Sequence, residues 1–167
     1  MYATNALVLR KTPVGEADAL VTLYTEKFGK LTGRANGIYK EPAKLKGHLE
    51  TLAFTSVRFI SGRGGERIIH AEMIEYWPRI RSDTVRLGLA CYIRDLMDRY
   101  LEKGETDARV WNIVTAALEE LEEADIKPDM IRTFADGFMR NFSGALGWNA
   151  PQDLLIFGAP VAKPFRF

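Results

Sequence analysis

The chain has 167 residues, of which 47% are hydrophobic and 27% are charged, and its formal net charge is +1. This composition is typical of a folded protein, and no apolar run approaches the roughly 18 residues of a membrane-spanning helix. The single cysteine, Cys91, excludes an internal disulfide and a cysteine-cluster zinc site, and the lack of a signal-peptide pattern predicts a cytoplasmic location.

The first part of the chain carries the periodicity of β-strands. Short β-branched and aromatic segments, separated by turn-like residues, predict five strands, at residues 5–12, 19–25, 30–38, 51–61 and 67–76. The fourth segment alternates with one slip, which is typical of a β-bulge, and Pro42 can begin a short helical turn before it. Five strands with a helical turn between the third and fourth predict an OB-fold barrel, although an SH3-like barrel also fits the strand count.

After Pro78 the apolar residues recur at three- and four-residue steps, which predicts helices. Ser82 or Asp83 can cap the first helix and Gly104 can end it. The second and third predicted helices cover about residues 107–124 and 128–146. Each helix has an apolar stripe that must be covered, so the three together predict a small helical bundle.

The two halves of the chain also differ in charge. Residues 1–81 hold 13 Lys and Arg against 8 Asp and Glu, a net of +5, whereas residues 82–167 hold 10 against 14, a net of −4. Residues 29–47 contain five cations and one acid. A basic half is expected to contact a polyanion. We therefore predict an α+β protein with an OB-fold nucleic-acid-binding domain at residues 1–79 and a helical domain at residues 80–167.

Cations on the third strand and its neighbours are candidate nucleic-acid ligands. OB-folds bind oligonucleotides on the face of strands two and three and through the loops after strands one and four. Lys30 and Arg34 are four residues apart, so both side chains can point to one face of a strand. The predicted contact residues are Lys30, Arg34, Lys40, Lys44, Lys46, Arg63, Arg67 and Tyr39, the last as an aromatic on which a base can stack. Such cations contact phosphates, which predicts low sequence specificity.

No pattern of catalytic residues accompanies these cations. The sequence lacks a phosphate-binding P-loop, a His-Glu-x-x-His pair and a Gly-x-Ser-x-Gly elbow. Only two histidines are present, His48 and His70, and they are far apart in the sequence. We therefore expect a binding protein that is not an enzyme, with no cofactor and no structural metal.

Several short motifs follow one another in residues 6–54: Gly-Glu-x-Asp at 15–18, Phe-Gly-Lys at 28–30 and Lys-Leu-x-Gly-x-Leu-Glu at 44–50. In these motifs the sequence resembles the N-terminal domain of the RecO family of bacterial DNA repair and recombination mediators. The resemblance continues through GRGGERIIHAEMIE and the next two helices to about residue 148. Each motif is short, but their order and spacing together are specific.

The resemblance implies a function that composition and periodicity do not. Proteins of this family bind single- and double-stranded DNA, anneal complementary strands and help load the recombinase onto DNA coated by single-stranded-DNA-binding protein. They act with a ring-forming partner, RecR, in the cytoplasm at the nucleoid. Many also carry a four-cysteine zinc module after a Leu-Gly-Tyr step. Here that step reads Leu-Gly-Trp at 146–148 and no cysteine follows, so a shortened form without the zinc module is expected.

The third predicted helix carries an aromatic stripe with two arginines beside it. The stripe, Ile131, Phe134, Phe138 and Phe142, is typical of core packing. An alternative is an apolar groove with a cationic rim, which suits the acidic, Phe-ended tail of single-stranded-DNA-binding protein. The predicted partner-binding residues are Arg132, Phe134, Phe138 and Arg140.

Two other classes of function stay open at this point. One is a protein-interaction module that has kept the fold and lost DNA binding. The other is an OB-fold module that binds RNA. Salt-dependent binding to single-stranded DNA distinguishes the first from a DNA mediator, and competition between DNA and RNA oligonucleotides distinguishes the second.

Overall fold

The computed structural model describes residues 1–41, 43 and 45–148. Lys44, one of the predicted contact residues, lies outside this set. The chain forms two compact units: Met1–Pro78 together with Arg94–Asp107, and Arg79–Ile93 together with the described residues from Ala108 onward. No helix in the described part of the chain is long and apolar enough to cross a membrane.

Five strands form a closed barrel in the first unit. They are β1 (Tyr2–Val14), β2 (Asp18–Thr25), β3 (Gly29–Ala35), β4 (Phe54–Gly62) and β5 (Gly65–Glu75). The barrel runs β1-β2-β3-β5-β4 and closes between β4 and β1. The β3–β5 pair is parallel and the other pairs are antiparallel. This order confirms the predicted OB-fold barrel.

The barrel interior is filled by alternate residues of the strands. Ala6 and Val8 on β1, and Val21 and Leu23 on β2, have no exposed surface. Burying an aliphatic side chain of the size of Val or Leu stabilises the fold by about 1.5–3 kcal/mol, so this alternation determines which face of each strand points inward. The slip expected in the fourth strand corresponds to register shifts between Phe54 and Thr55 and between Arg58 and Phe59.

Three strand ends differ from the sequence prediction by three residues, and the other ends differ by two or fewer. β1 begins three residues earlier than predicted, and β3 ends at Ala35 rather than at residue 38. β4 begins at Phe54 because residues 51–53 turn back onto β1, where the Leu52 N–H donates to the Val8 carbonyl at 2.8 Å. The described residues between β3 and β4 form turns, in which the Lys46 N–H donates to the Ala43 carbonyl at 3.3 Å and the His48 N–H to the Leu45 carbonyl at 3.2 Å. Pro42, after which a short helical turn was expected, lies outside the described residues.

Four α-helices follow the barrel strands. They are α1 (Pro78–Ser82), α2 (Thr84–Tyr100), α3 (Ala108–Glu123) and α4 (Ile131–Ala145), and a 3-10 turn at Pro128–Met130 precedes α4. The Asp83 carboxylate caps α2 by accepting the N–H groups of Val85 and Arg86 at 2.8 and 3.0 Å, as predicted. α2 ends at Tyr100, four residues before Gly104.

The second unit is held together by polar contacts to helix ends and by aromatic packing. The Glu122 carboxylate accepts the N–H groups of Arg79 and Ile80 at 2.9 and 3.0 Å, which satisfies the first turn of α1. The buried Arg86 guanidinium donates to the Leu121 carbonyl. α1 has only five residues, and the acid that holds it lies on α3, so no local pattern predicted it.

Candidate nucleic-acid interface

The outer face of β3 carries Lys30 and Arg34, as their four-residue spacing predicted. Lys30, Thr32 and Arg34 alternate with buried Leu31, Gly33 and Ala35 along the strand. Lys30 is nevertheless mostly covered, because only 12% of its side chain is exposed. Its Nζ lies 2.9 Å from Asp98 Oδ1 and also donates to the Asp98 carbonyl oxygen. Lys30 therefore joins β3 to the end of α2 within the first unit.

Arg34 is exposed but is also paired. Its Nε and Nη2 donate to Asp18 Oδ2 at 3.1 and 2.8 Å, and the Gly37 N–H donates to Asp18 Oδ1 at 2.8 Å. The Gly37 hydrogen bond, and then that of Arg34, holds the pKa of Asp18 below its usual range. Asp18 therefore stays ionised at neutral pH and holds Arg34 against the start of β2.

Arg34 has a second arginine beside it. In the parallel β3–β5 pair Arg34 is in register with Arg67, and both side chains are exposed. Like charges directly opposite each other on neighbouring strands destabilise a sheet. Asp18 is the only carboxylate among the described residues that forms an ion pair with either arginine, so a bound anion would relieve the repulsion.

Lys40 adds a third positive charge to this surface. Its charge contributes to the lowered pKa of Asp18, so it lies close to the same carboxylate. Lys40 and Arg67 also line one cavity of ≈ 580 Å³, together with Asn36 and Gly37. Arg34, Lys40 and Arg67 thus form a group of three neighbouring cations, of which Arg34 is paired with Asp18. We call this group the phosphate surface.

The other predicted contact residues lie around the barrel in different settings. Arg63 is exposed in the two-residue turn between β4 and β5, and no ion pair involves it within the described residues. Lys46 Nζ lies 2.6 Å from Glu41 Oε1, and this hydrogen bond lowers the pKa of Glu41. Tyr39 is 39% exposed, and its N–H donates to the Ala17 carbonyl at 3.0 Å.

The acids that hold these cations were not recognised as functional in the sequence. Asp98 lies 68 residues from Lys30, and no local pattern connects the two. Asp18 was visible only as the last residue of the Gly-Glu-x-Asp motif. Its position at the first residue of β2, directly after the turn that begins at Gly15, is the one signal from which its role could have been inferred.

The second unit contains a groove between α3 and α4. It has a volume of ≈ 630 Å³ and apolar walls that include Ile113, Phe134 and Phe138. Phe138 is buried and stacks on Phe142 with ring centroids 5.5 Å apart, whereas Phe134 is half-buried. The aromatic stripe of the third predicted helix is thus partly core and partly groove wall.

The charged residues at this groove are acidic. Glu120 and Asp129 line it, and Arg132 and Arg140 are not among its described lining residues. The Arg132 side chain is 84% exposed, and its Nε lies 3.7 Å from Asp136 on the same helix. The cationic rim that was expected from the sequence is therefore not what the described residues show. No group of three or more His, Cys, Asp or Glu side chains suited to a metal ion occurs within the described ranges.

Comparison with known proteins relates the barrel and helices to one family. Residues 1–77 match the sequence model of a family described as "Recombination protein O N terminal". The chain is 31% identical to the DNA repair protein RecO of Geobacter metallireducens over 150 residues, which are 90% of this chain and 60% of the relative. It is 32% identical to the protein of the same name from Geobacter sulfurreducens over 149 residues, 89% of this chain and 60% of the relative.

A third relative covers less of each chain. The DNA repair protein RecO of Roseiflexus sp. is 31% identical over 121 residues, 72% of this chain and 42% of the relative. The chain therefore spans about three fifths or less of the length of these curated relatives.

Proposed function

Because the N-terminal part of this chain belongs to the RecO family, we propose that the protein is a DNA repair and recombination mediator that binds single- and double-stranded DNA. The observation that carries the proposal is the phosphate surface, where Arg34 and Arg67 lie opposite each other on an OB-fold barrel and only Arg34 has an ion-pair partner among the described residues. A DNA phosphate placed between the two guanidinium groups would offset their repulsion and accept hydrogen bonds from both.

Contacts between cations and phosphates involve the DNA backbone and not the bases. Cations that neutralise phosphates release counterions, so affinity depends steeply on salt and weakly on sequence. A surface that lowers the repulsion between two strands without selecting a sequence suits the annealing of complementary strands. Loading of recombinase, and action with a RecR-type partner, belong to the same proposal through the family.

The acidic tail of single-stranded-DNA-binding protein is a further proposed partner, for the second unit. Arg132 and Arg140 are exposed on α4 and could pair with its carboxylates, while Phe134 offers an apolar contact. Glu120 and Asp129 line the same groove as Phe134 and would repel the carboxylates, so the proposal requires the phenyl ring alone to contact the groove, with the carboxylates outside it at Arg132 and Arg140. Titration of a labelled tail peptide into the wild type and Arg132→Glu/Arg140→Glu tests it. Binding that is absent, or equal in both proteins, overturns it.

Charge-matched double variants test the DNA-binding proposal. Arg34→Ala/Arg67→Ala removes two cations from the phosphate surface, and Lys27→Ala/Lys127→Ala removes two exposed cations elsewhere. The log–log dependence of single-strand affinity on salt should be about −0.7 per phosphate neutralised. Arg34 is paired with Asp18 and Arg67 has no ion pair within the described residues, so we expect the first variant to flatten this slope by at least about 0.7 and to slow annealing, and the control to change neither.

Three outcomes contradict the proposal. Equal effects of the two double variants would mean that net charge, and not the phosphate surface, determines binding. A wild type without salt-dependent binding to DNA would favour the protein-interaction module. Preference for RNA over DNA oligonucleotides of the same sequence, measured in competition, would favour the RNA-binding module.

A further inference from the structure

A second cavity of the first unit lies beside the phosphate surface and is lined by different residues. It has a volume of ≈ 430 Å³, which is within the range of about 300–1,000 Å³ typical of small-ligand sites. One side is an aromatic wall made of Tyr2, Phe28 and Phe59. The opposite rim is polar and includes Ser61, Glu66 and Lys103. Stacking surface and hydrogen-bonding groups therefore face the same space.

The aromatic wall is a set of three rings in mutual contact. Tyr2 is stacked on Phe59, with ring centroids 5.3 Å apart and planes at 28°. Phe28 meets both rings edge-on, at 5.3 Å from Tyr2 and 5.4 Å from Phe59. Phe59 is buried, but Tyr2 is 46% exposed, so an aromatic surface remains open next to the cavity. Bases of single-stranded nucleic acids stack on such surfaces.

The cavity walls are held in place by contacts outside the cavity. The Gly104 N–H donates to the Lys30 carbonyl at 3.0 Å, and the Lys30 side chain is paired with Asp98. At Gly29 an added Cβ would lie 2.0 Å from the Glu105 carbonyl oxygen, so the β2–β3 turn and the segment after α2 touch through their backbones. The walls are thus formed before any ligand arrives, which reduces the entropic cost of binding.

The polar rim suits the edge of a base that carries an amino group. A carboxylate only accepts hydrogen bonds, so Glu66 can accept from the exocyclic amine of cytosine or adenine. The ring donor of thymine, N3–H, lies between two carbonyl oxygens that repel a carboxylate, so thymine is the poorer partner. The Ser61 hydroxyl can donate or accept. Lys103 is exposed, and no ion pair with it occurs in the described part of the chain, so it is available to a phosphate.

The cavity adjoins the phosphate surface through β3. Thr32 lines the cavity, and Arg34 of the phosphate surface lies two residues further along the same outward face of the strand. Residues two apart on a strand point to the same face and are about 6.6 Å apart along it. One strand of DNA held at Arg34 and Arg67 is thus close enough to place a neighbouring base in the cavity.

We propose that this cavity binds one unpaired nucleobase of single-stranded DNA, stacked on the Tyr2–Phe28 wall, with a preference for cytosine or adenine over thymine. The inference rests on the proposed DNA-binding function and adds a base site to it. A base within a duplex is stacked and paired, so it cannot enter the cavity. The site would therefore favour single strands over duplexes, which the phosphate surface alone would not do.

Affinity measurements with short labelled oligo-dC and oligo-dT test the base site. Tyr2→Leu keeps an apolar cover over Phe59 but removes the stacking ring, and Tyr76→Leu changes a tyrosine of similar exposure that does not line the cavity. We expect Tyr2→Leu to weaken oligo-dC binding at least about fivefold, since base–aromatic stacking is worth about 1–3 kcal/mol. The salt slope should not change, because no phosphate contact is lost.

A second variant keeps the test decisive if Tyr2→Leu unfolds. Glu66→Gln leaves the aromatic wall intact and should reduce the preference for oligo-dC over oligo-dT. Two results overturn the base site but leave the DNA-binding function standing, provided that the wild type binds DNA in a salt-dependent way. One is equal binding by Tyr2→Leu and Tyr76→Leu, and the other is the absence of a preference for oligo-dC. No salt-dependent binding by the wild type overturns both.

Discussion

Two groups of cations on the barrel unit differ in what surrounds them. Lys30 is 12% exposed at its side chain and is tied to Asp98 through both side chain and backbone. Arg63 and Arg67 are exposed, and neither forms an ion pair within the described residues. We call Lys30 an anchored cation, and Arg63 and Arg67 open cations. Positive charge in a sequence therefore indicates binding only where tertiary structure leaves it without an acid.

The largest effect on the free energy of unfolding is expected at Gly29, next to the anchored cation Lys30. Its φ is +64°, and an added Cβ would lie 2.0 Å from the Glu105 carbonyl oxygen. We expect Gly29→Ala to lower the free energy of unfolding by about 3 kcal/mol or more, because left-handed strain and a backbone clash add together.

Gly15→Ala is the matched control for this substitution. Gly15 has a φ of +63° with no atom within 4 Å of an added Cβ. It should cost only the strain of a left-handed residue, about 1–2 kcal/mol. Urea denaturation of both variants measures the difference, and equal losses would show that the approach to residue 105 does not stabilise the fold.

Exchanging an anchored cation and an open cation for Met should separate stability from binding. Lys30→Met leaves the partly buried Asp98 without one of its partners, so we expect a loss of about 2 kcal/mol of unfolding free energy. Arg67→Met should change stability by less than about 0.5 kcal/mol, as is usual for exposed positions. The affinity for DNA should fall more in Arg67→Met than in Lys30→Met. A larger stability loss for Arg67→Met than for Lys30→Met would contradict the distinction.

Asp18→Asn should convert Arg34 from a paired cation into an open one. Asn can still accept the Gly37 N–H, but it no longer neutralises Arg34. We expect the salt dependence of single-strand binding to steepen by about 0.7, the equivalent of one phosphate. Glu26→Gln removes an exposed acid elsewhere on the barrel unit and should not change the slope. If both variants strengthen binding equally, net charge alone explains the effect.

The smallest effect concerns Tyr24 on β2. Burial raises its pKa to about 12, and its hydroxyl donates to the Asp107 carbonyl at 3.4 Å. A raised folded-state pKa means that the stabilising contribution is complete below about pH 10 and is lost as the pH rises through 12. Ultraviolet titration should show a late phenol ionisation that Tyr24→Phe removes. A titration curve that Tyr24→Phe leaves unchanged at high pH would contradict it.

Local patterns predicted those features whose causes are local. Strand alternation placed Lys30 and Arg34 on one face of β3, and the slip in the fourth strand appeared as register shifts. The cap of α2 by Asp83 depends on a carboxylate and two N–H groups that are adjacent in sequence. The five-residue α1 was missed because Glu122, which accepts its first N–H groups, lies 42 and 43 residues away.

The amino-acid sequence by itself determined the number and approximate positions of the strands and of the three longer helices, and the concentration of cations in the first half, because period, capping and charge are properties of neighbouring residues. Only the tertiary structure decided which cations are anchored and which stay open. Closure of the barrel places Arg67 beside Arg34 through a parallel strand pair, and it brings Tyr2 against Phe59. These pairs lie far apart in the chain, so their meeting depends on how the strands are ordered in space and not on any local pattern.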